Sequence, residues 1–106
     1  MKIDLLYFEG CPGHEAFLPR LRELLDEAGV DATVRLIHVG THEDAVRERF
    51  LGSPTLRVAG ADIDPDAAAR RDFGLTCRLY PTSEGPRGAP PDEWVLSALR
   101  DAGTSI

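Results

Sequence analysis

The stretch at residues 2–14, KIDLLYFEGCPGH, places a run of apolar residues directly before a cysteine flanked by turn residues. Its side chains alternate between the two faces of a predicted strand, with Ile3, Leu5 and Tyr7 on one face and Leu6 and Phe8 on the other. A strand that is apolar on both faces is typical of the centre of an α/β sheet. Residues 9–13 then break the pattern with glycine and proline. We therefore predict a strand over residues 2–8 that ends in a turn carrying Cys11.

Outward from this stretch, helix and strand patterns alternate along the chain. The predicted elements are a helix from residue 12 or 14 to 28, a strand at 33–39, a helix from Thr41 to about Phe50, strands at 55–58 and 61–63, a helical turn at 67–70 and a helix from about Pro91 to Gly103. Because a helix joins the first two strands, we expect them to be parallel. The tight link at Ala59 and Gly60 predicts an antiparallel hairpin. The order β-α-β-α-β-β-α predicts an α/β fold with a mixed four-stranded sheet flanked by helices.

Length and charge limit the classes of protein to which the chain can belong. The 106 residues suit a single domain over positions 1–106. Twelve basic and 18 acidic residues give a net charge of −6, which disfavours nucleic-acid binding. No stretch approaches the ~18–20 apolar residues of a membrane helix, and Asp4 interrupts the apolar core of a signal peptide. We predict a cytoplasmic protein with no nucleic-acid or membrane partner, and the sequence indicates no cofactor.

Cys11 is the residue best placed for chemistry. It lies between the end of a predicted strand and the start of a predicted helix, where backbone N–H groups lack internal partners and the helix dipole favours an anion. A thiol at such a position is shifted toward the thiolate, which is the nucleophilic and metal-binding form. Ligands of α/β folds also gather at the carboxyl ends of strands. The alternative is that Cys11 is a small buried apolar residue.

The motif Cys11-Pro12-Gly13-His14 resembles the Cys-x-x-Cys motif of thioredoxin-like proteins, with His14 in place of the second cysteine. Pro19 stands where thioredoxins carry a helix proline, and Pro54 stands where the fold places a cis proline beside its active site. The predicted element order is similar to the thioredoxin core without its leading β-α unit. The resemblance covers about residues 1–63 and the final helix.

This resemblance implies thiol chemistry centred on Cys11. The Cys11 thiolate would attack a disulfide, a peroxide or a soft electrophile, and Ser53, Pro54 and Thr55 would shape the groove that binds the substrate. The resemblance also implies that the backbone of Ser53 is ready to pair with an extended substrate strand. Because His14 cannot resolve a mixed disulfide, it would tune the thiolate or shuttle the proton instead.

The second cysteine, Cys77, leaves two alternatives open. It either packs beneath its loop or approaches Cys11 as a resolving thiol or a second metal ligand, and a bridge between them needs Cα atoms within ~7 Å. Cys11, His14 and Cys77 also stand at positions similar to those of the catalytic core of alkylmercury lyase. That distant resemblance implies a soft-metal or organomercurial site at these three residues, whose thiolate and imidazole groups suit such metals.

Three functions therefore follow from the sequence. The leading prediction is a redox protein that exchanges thiols and disulfides with a small thiol or a protein disulfide. The second is soft-metal binding, or alkylmercury-lyase-like activity, through Cys11, His14 and Cys77. The third is a non-catalytic interaction module in which Cys11 reacts like any free cysteine. The sequence leaves the oligomeric state open.

Overall fold

The structure is a computed structural model that describes residues 1–104, with side chains described for residues 1–102. Its elements are β1 (Ile3–Tyr7), α1 (Gly13–Glu27), β2 (Val34–His38), α2 (His42–Arg47), β3 (Thr55–Val58), β4 (Ala61–Asp62), a 3₁₀ turn (Ala67–Ala69) and α3 (Asp92–Thr104). This order confirms the predicted α/β fold. Helix α3 runs one residue past Gly103, the predicted end. The part of the single-domain prediction that concerns residues 105–106 lies outside the described residues.

The sheet has the strand order β2-β1-β3-β4, so β1 is a central strand, as predicted. It pairs in parallel with β2 and antiparallel with β3, which makes the sheet mixed. Ile3, Leu5 and Leu6 are each exposed by 1% or less because a neighbouring strand lies on either side and helices cover both faces. The hairpin of β3 and β4 is also confirmed.

The two faces of β1 belong to two separate apolar clusters. Ile3 and Leu5 pack with Leu21 of α1 and Val95 of α3, whereas Leu6 packs on the opposite face with Phe50 and with Ala45 of α2. Helices α1 and α3 therefore cover one face of the sheet, and α2 covers the other. Within the described residues no helix combines the length and apolar character needed to cross a membrane.

Helix α2 is shorter than predicted. It begins as expected, with the Thr41 side chain accepting a hydrogen bond from the Asp44 backbone N–H at 3.0 Å. It ends at Arg47 because Arg49 adopts a left-handed conformation (φ 53°). The Phe50 N–H then donates to the Ala45 carbonyl at 2.8 Å, which closes the helix and directs Phe50 into the core.

The pairing of β1 with β3 brings two distant segments to the same edge of the sheet. Because the strands are antiparallel, the end of β1 lies beside the start of β3, with Leu6 opposite Thr55. The turn after β1, which carries Cys11, and residues 53–54, which precede β3, therefore meet at this edge.

Candidate functional site

The structure joins Cys11 and Cys77 in a disulfide, with Cα atoms 5.7 Å apart. The two residues are separated by 66 positions, so their meeting is a product of the fold. This arrangement decides the alternative left open for Cys77 in favour of its approach to Cys11. The two cysteines differ in exposure: Cys11 is 5% exposed, whereas Cys77 is an exposed residue.

Cys11 lies directly before the first turn of α1. Pro12 is the N-terminal capping residue, and no side chain caps the helix. In the described part of the chain, the backbone N–H groups of Gly13 and His14 have no acceptor, whereas those of the next two residues bond the Pro12 carbonyl. Unpaired N–H groups and the helix dipole both favour negative charge at this point. The position of Cys11 thus agrees with the expected stabilisation of a thiolate.

His14 faces the backbone of Cys11 rather than its sulfur. Its Nδ1 lies 3.1 Å from the Cys11 carbonyl oxygen. Because a carbonyl can only accept, Nδ1 carries the proton in this contact. The ring is stacked on Tyr7 with centroids 4.2 Å apart, and its Nε2 lies 3.9 Å from a carboxylate oxygen of Glu15. These contacts hold the turn that carries Cys11, and the role of His14 as proton donor stays a prediction.

Ser53, Pro54 and Thr55 are buried beside the disulfide. The Ser53–Pro54 bond is cis, as expected, and Cys11 Sγ lies 3.7 Å from the Ser53 carbonyl oxygen. Both backbone groups of Ser53 are already paired with the chain itself: its N–H donates to Thr76 at 2.8 Å, and its carbonyl accepts from Arg78 at 2.9 Å. The segment around Cys77 therefore occupies the edge of Ser53 that was expected to bind a substrate strand. The assignment of these three residues to substrate binding stays a prediction.

The close approach of this segment depends on Gly52. A Cβ atom at Gly52 would lie 2.9 Å from the Cβ of Arg78 and 2.9 Å from the Thr76 carbonyl oxygen, and Gly52 has a φ of +123°. A side chain at this position would therefore clash and strain the backbone. Glycine here lets the segment of residues 76–78 lie against Ser53.

The side chain of Arg78 anchors the segment from inside the fold. Its guanidinium, 1% exposed, donates to both carboxylate oxygens of Asp62 at 2.8 and 3.2 Å, to Asp64 at 3.2 Å and to the Thr55 hydroxyl at 3.1 Å. Although burial lowers the pKa of Arg78, the hydrogen bonds to Asp62 and Asp64 and the nearby negative charge together raise the pKa above its ordinary value. Arg78 is therefore a permanent buried charge that fixes the residue next to Cys77.

Tyr80 provides a second anchor for the same segment. Its hydroxyl donates to the Pro54 carbonyl at 2.5 Å, and its ring packs against Trp94 and beneath the Arg78 guanidinium. Its backbone pairs with Arg87 in both directions, at 2.8 and 2.9 Å. Burial raises the pKa of Tyr80, and the nearby Arg78 charge only partly opposes this effect.

The raised pKa of Tyr80 predicts a loss of stability in alkali. The unfolded chain ionises its tyrosines near pH ~10, whereas the folded chain keeps Tyr80 protonated well beyond that point. The contribution of Tyr80 is therefore complete below pH ~10 and is lost above it. We expect the free energy of unfolding to fall by about 1.4 kcal/mol per pH unit in that range. Urea unfolding of the oxidised protein between pH 9 and 11 measures this slope.

Two phenylalanine variants provide the control. Tyr80→Phe should lose the slope, although the missing hydrogen bond costs it about 1 kcal/mol at neutral pH. Tyr7→Phe removes the other tyrosine of the chain and should keep the slope. Equal slopes in the wild type and in Tyr80→Phe would contradict the assignment.

The anchoring residues Arg78, Tyr80, Asp62 and Asp64 were not identified as part of the site from the sequence. No sequence pattern marked this segment, because the charged Arg78 is buried whereas the apolar Leu79 beside it is 66% exposed. Within residues 1–104 no group of three or more His, Cys, Asp or Glu side chains is arranged to hold a metal ion. The structure brings Cys11 and Cys77 together and places His14 against the Cys11 backbone.

Comparisons with protein families, curated proteins and solved structures do not assign a function to the chain. No protein-family model matches it, and neither a curated protein nor a solved structure does. The geometry around Cys11 and Cys77 is therefore the basis for assigning a function.

Proposed function

We propose that this chain is a thioredoxin-like redox protein whose Cys11–Cys77 pair cycles between a disulfide and a dithiol. The proposal rests on one observation. Cys11 and Cys77, 66 positions apart in the sequence, form a disulfide, and Cys11 stands directly before the first turn of α1, which no side chain caps. Reduction by two equivalents of an external thiol yields the dithiol and one external disulfide. Oxidation by a small or protein disulfide reverses the reaction. Because the exchange involves only thiols and disulfides, it needs no cofactor.

The arrangement of the elements supports the thioredoxin-like assignment. Cys11 lies between the central strand β1 and helix α1, and α1 contains Pro19. Pro54 precedes β3 at the same edge of the mixed sheet. The mixed four-stranded sheet with helices on both faces supports this proposal. The compartment we propose is the cytoplasm, where disulfides are usually transient and catalytic rather than structural.

A redox titration tests the proposal. The protein is equilibrated with defined ratios of reduced and oxidised dithiothreitol or glutathione and quenched in acid. Its intact mass is then measured by mass spectrometry. We expect one two-electron transition with a midpoint of roughly −120 to −270 mV, the range of proteins that exchange disulfides. Cys77→Ser is the matched control and should show no intramolecular transition. A midpoint below about −300 mV is typical of a structural disulfide and would favour the non-catalytic module.

Soft-metal binding is a second candidate, favoured by the adjacency of the two sulfurs. Reduction would leave two thiols on Cα atoms 5.7 Å apart, a suitable pair for a soft cation or an organomercurial. His14 is engaged with the Cys11 carbonyl, so this candidate rests on the cysteines. Titration of the reduced protein with Hg²⁺ or Zn²⁺, with counting of free thiols, tests it. Loss of both thiols at one equivalent of metal supports the candidate, and unchanged reactivity excludes it.

A further inference from the structure

The two cysteines of the disulfide differ in their exposure to a partner thiol. Cys11 is 5% exposed and lies against the Ser53 carbonyl. Cys77 is an exposed residue near Leu79, which is 66% exposed, whereas Arg78 and Tyr80 are buried at 3% and 1%. Thiol–disulfide exchange requires direct approach of a thiolate to the sulfur that it attacks. Of the two cysteines, Cys77 is the exposed residue, so approach from solvent favours attack at Cys77.

The two sulfurs also differ as leaving groups. When a thiolate attacks Cys77, Cys11 must leave as a thiolate directly before α1, where the N–H groups of Gly13 and His14 are unpaired in the described structure. A helix N-terminus stabilises that anion. The opposing dipole is the Ser53 carbonyl, which already accepts the Arg78 N–H. Attack on Cys11 would instead expel Cys77, which lies in the segment paired with Ser53 and not at a helix terminus.

Cys77 is held in place on both sides along the chain. The Thr76 carbonyl and the Arg78 N–H both bond Ser53, and the Arg78 side chain is tied to Asp62 and Asp64. None of these contacts involves a sulfur atom. Opening of the disulfide therefore leaves Cys77 within reach of Cys11.

From these observations we infer that Cys77 is the sulfur that exchanges with the partner thiol and that Cys11 is the buried resolving thiol. This inference rests on the proposed function and reverses the roles that the thioredoxin resemblance implies for the two cysteines. A partner thiolate bonds to Cys77 Sγ, the S–S bond breaks, and its electron pair leaves on Cys11 Sγ. In the reverse step the Cys11 thiolate attacks Cys77 Sγ and expels the partner thiolate. Both steps balance with the partner thiol as the sole co-reactant.

Location of the mixed disulfide tests this assignment. Oxidised full-length protein is mixed with reduced glutathione for a short time, quenched in acid, alkylated in denaturant and digested with trypsin. Cys11 then lies in the peptide of residues 3–20 and Cys77 in that of residues 72–78. We expect glutathione on the Cys77 peptide at least tenfold more often than on the Cys11 peptide. Equal labelling, or an excess on Cys11, would overturn the inference.

The same reaction in concentrated guanidinium chloride is the control for the role of the fold. Unfolding exposes both sulfurs and removes the helix terminus, so we expect the preference for Cys77 to fall severalfold. If the preference for Cys77 stayed unchanged in guanidinium chloride, it would arise from the local sequence and not from the fold. That result would contradict the inference. A disulfide that stays intact after long incubation with glutathione in native buffer, with neither an adduct nor free thiols formed, would overturn both the inference and the proposed exchange function. An adduct on Cys11 would overturn the inference alone.

Discussion

Reduction of the Cys11–Cys77 disulfide is expected to lower the free energy of unfolding by about 4 kcal/mol. The bond closes a loop of 66 residues, and cross-linking a loop of that size removes a corresponding amount of conformational entropy from the unfolded chain. For a domain of about 100 residues, each kcal/mol shifts the melting temperature by roughly 4–8 °C, so we expect a decrease of about 15–30 °C. Thermal unfolding with and without a non-thiol reductant measures the difference.

The wild-type chain is the better subject for this experiment than a cysteine variant. Substitution of the buried Cys11 would change packing as well as the cross-link, whereas reduction changes only the bond. The double variant Cys11→Ser/Cys77→Ser is the control and should be insensitive to the reductant. A change of less than about 1 kcal/mol in the wild type would mean that the unfolded chain gains little freedom when the bond opens, contrary to the loop-closure argument.

The variant Arg78→Met is expected to destabilise the oxidised protein by about 3 kcal/mol. Asp62 and Asp64 have side chains exposed by only 12% and 10%, and both carboxylates bond the Arg78 guanidinium. Removal of the arginine leaves two largely buried negative charges facing each other without that cation, which typically costs 3–5 kcal/mol. Arg70, which also contacts Asp64, keeps the loss near the lower end of the range. Urea unfolding at neutral pH measures it.

Arg70→Met is the matched control because it removes the same kind of side chain from the same cluster. Arg70 is 34% exposed, and its shortest ion pair is with the exposed Asp72, so we expect a loss of about 1 kcal/mol or less. Arg78→Lys should recover only part of the stability, since an ammonium cannot reproduce the forked contact with Asp62. Equal losses at positions 70 and 78 would show that burial of the Arg78 network is not what stabilises it.

The architecture could be predicted largely from periodicity and turn residues. The apolar run before Cys11 predicted the central strand, and Gly60 marked the hairpin. The edge position of β2 could not be predicted in the same way. Leu36 is 48% exposed because no strand pairs beyond β2, and strand neighbours are set by tertiary packing rather than by local pattern.

The site was predictable at Cys11 and much less so at Cys77. Cys11 belongs to a strand, turn and helix that are local in sequence, so its surroundings follow from nearby residues. The position of Cys77 depends on pairing with Ser53 and on the contact of Arg78 with Asp62, residues 24 and 16 positions away. No periodicity in residues 73–80 encodes such contacts. The difference in exposure between the two cysteines arises from the same long-range packing.

The disulfide also determines how the molecule would respond to mechanical force. If the chain is pulled by its two ends, tension passes from Cys11 directly to Cys77 and bypasses residues 12–76, a sequence separation of 66. At roughly 3.3–3.6 Å per residue, about 220–240 Å of contour length is withheld from extension while the bond is intact. That withheld length contains all of α1, β2, α2, β3 and β4. A reductant would release it in a single step, so the oxidation state sets how far the protein can be stretched.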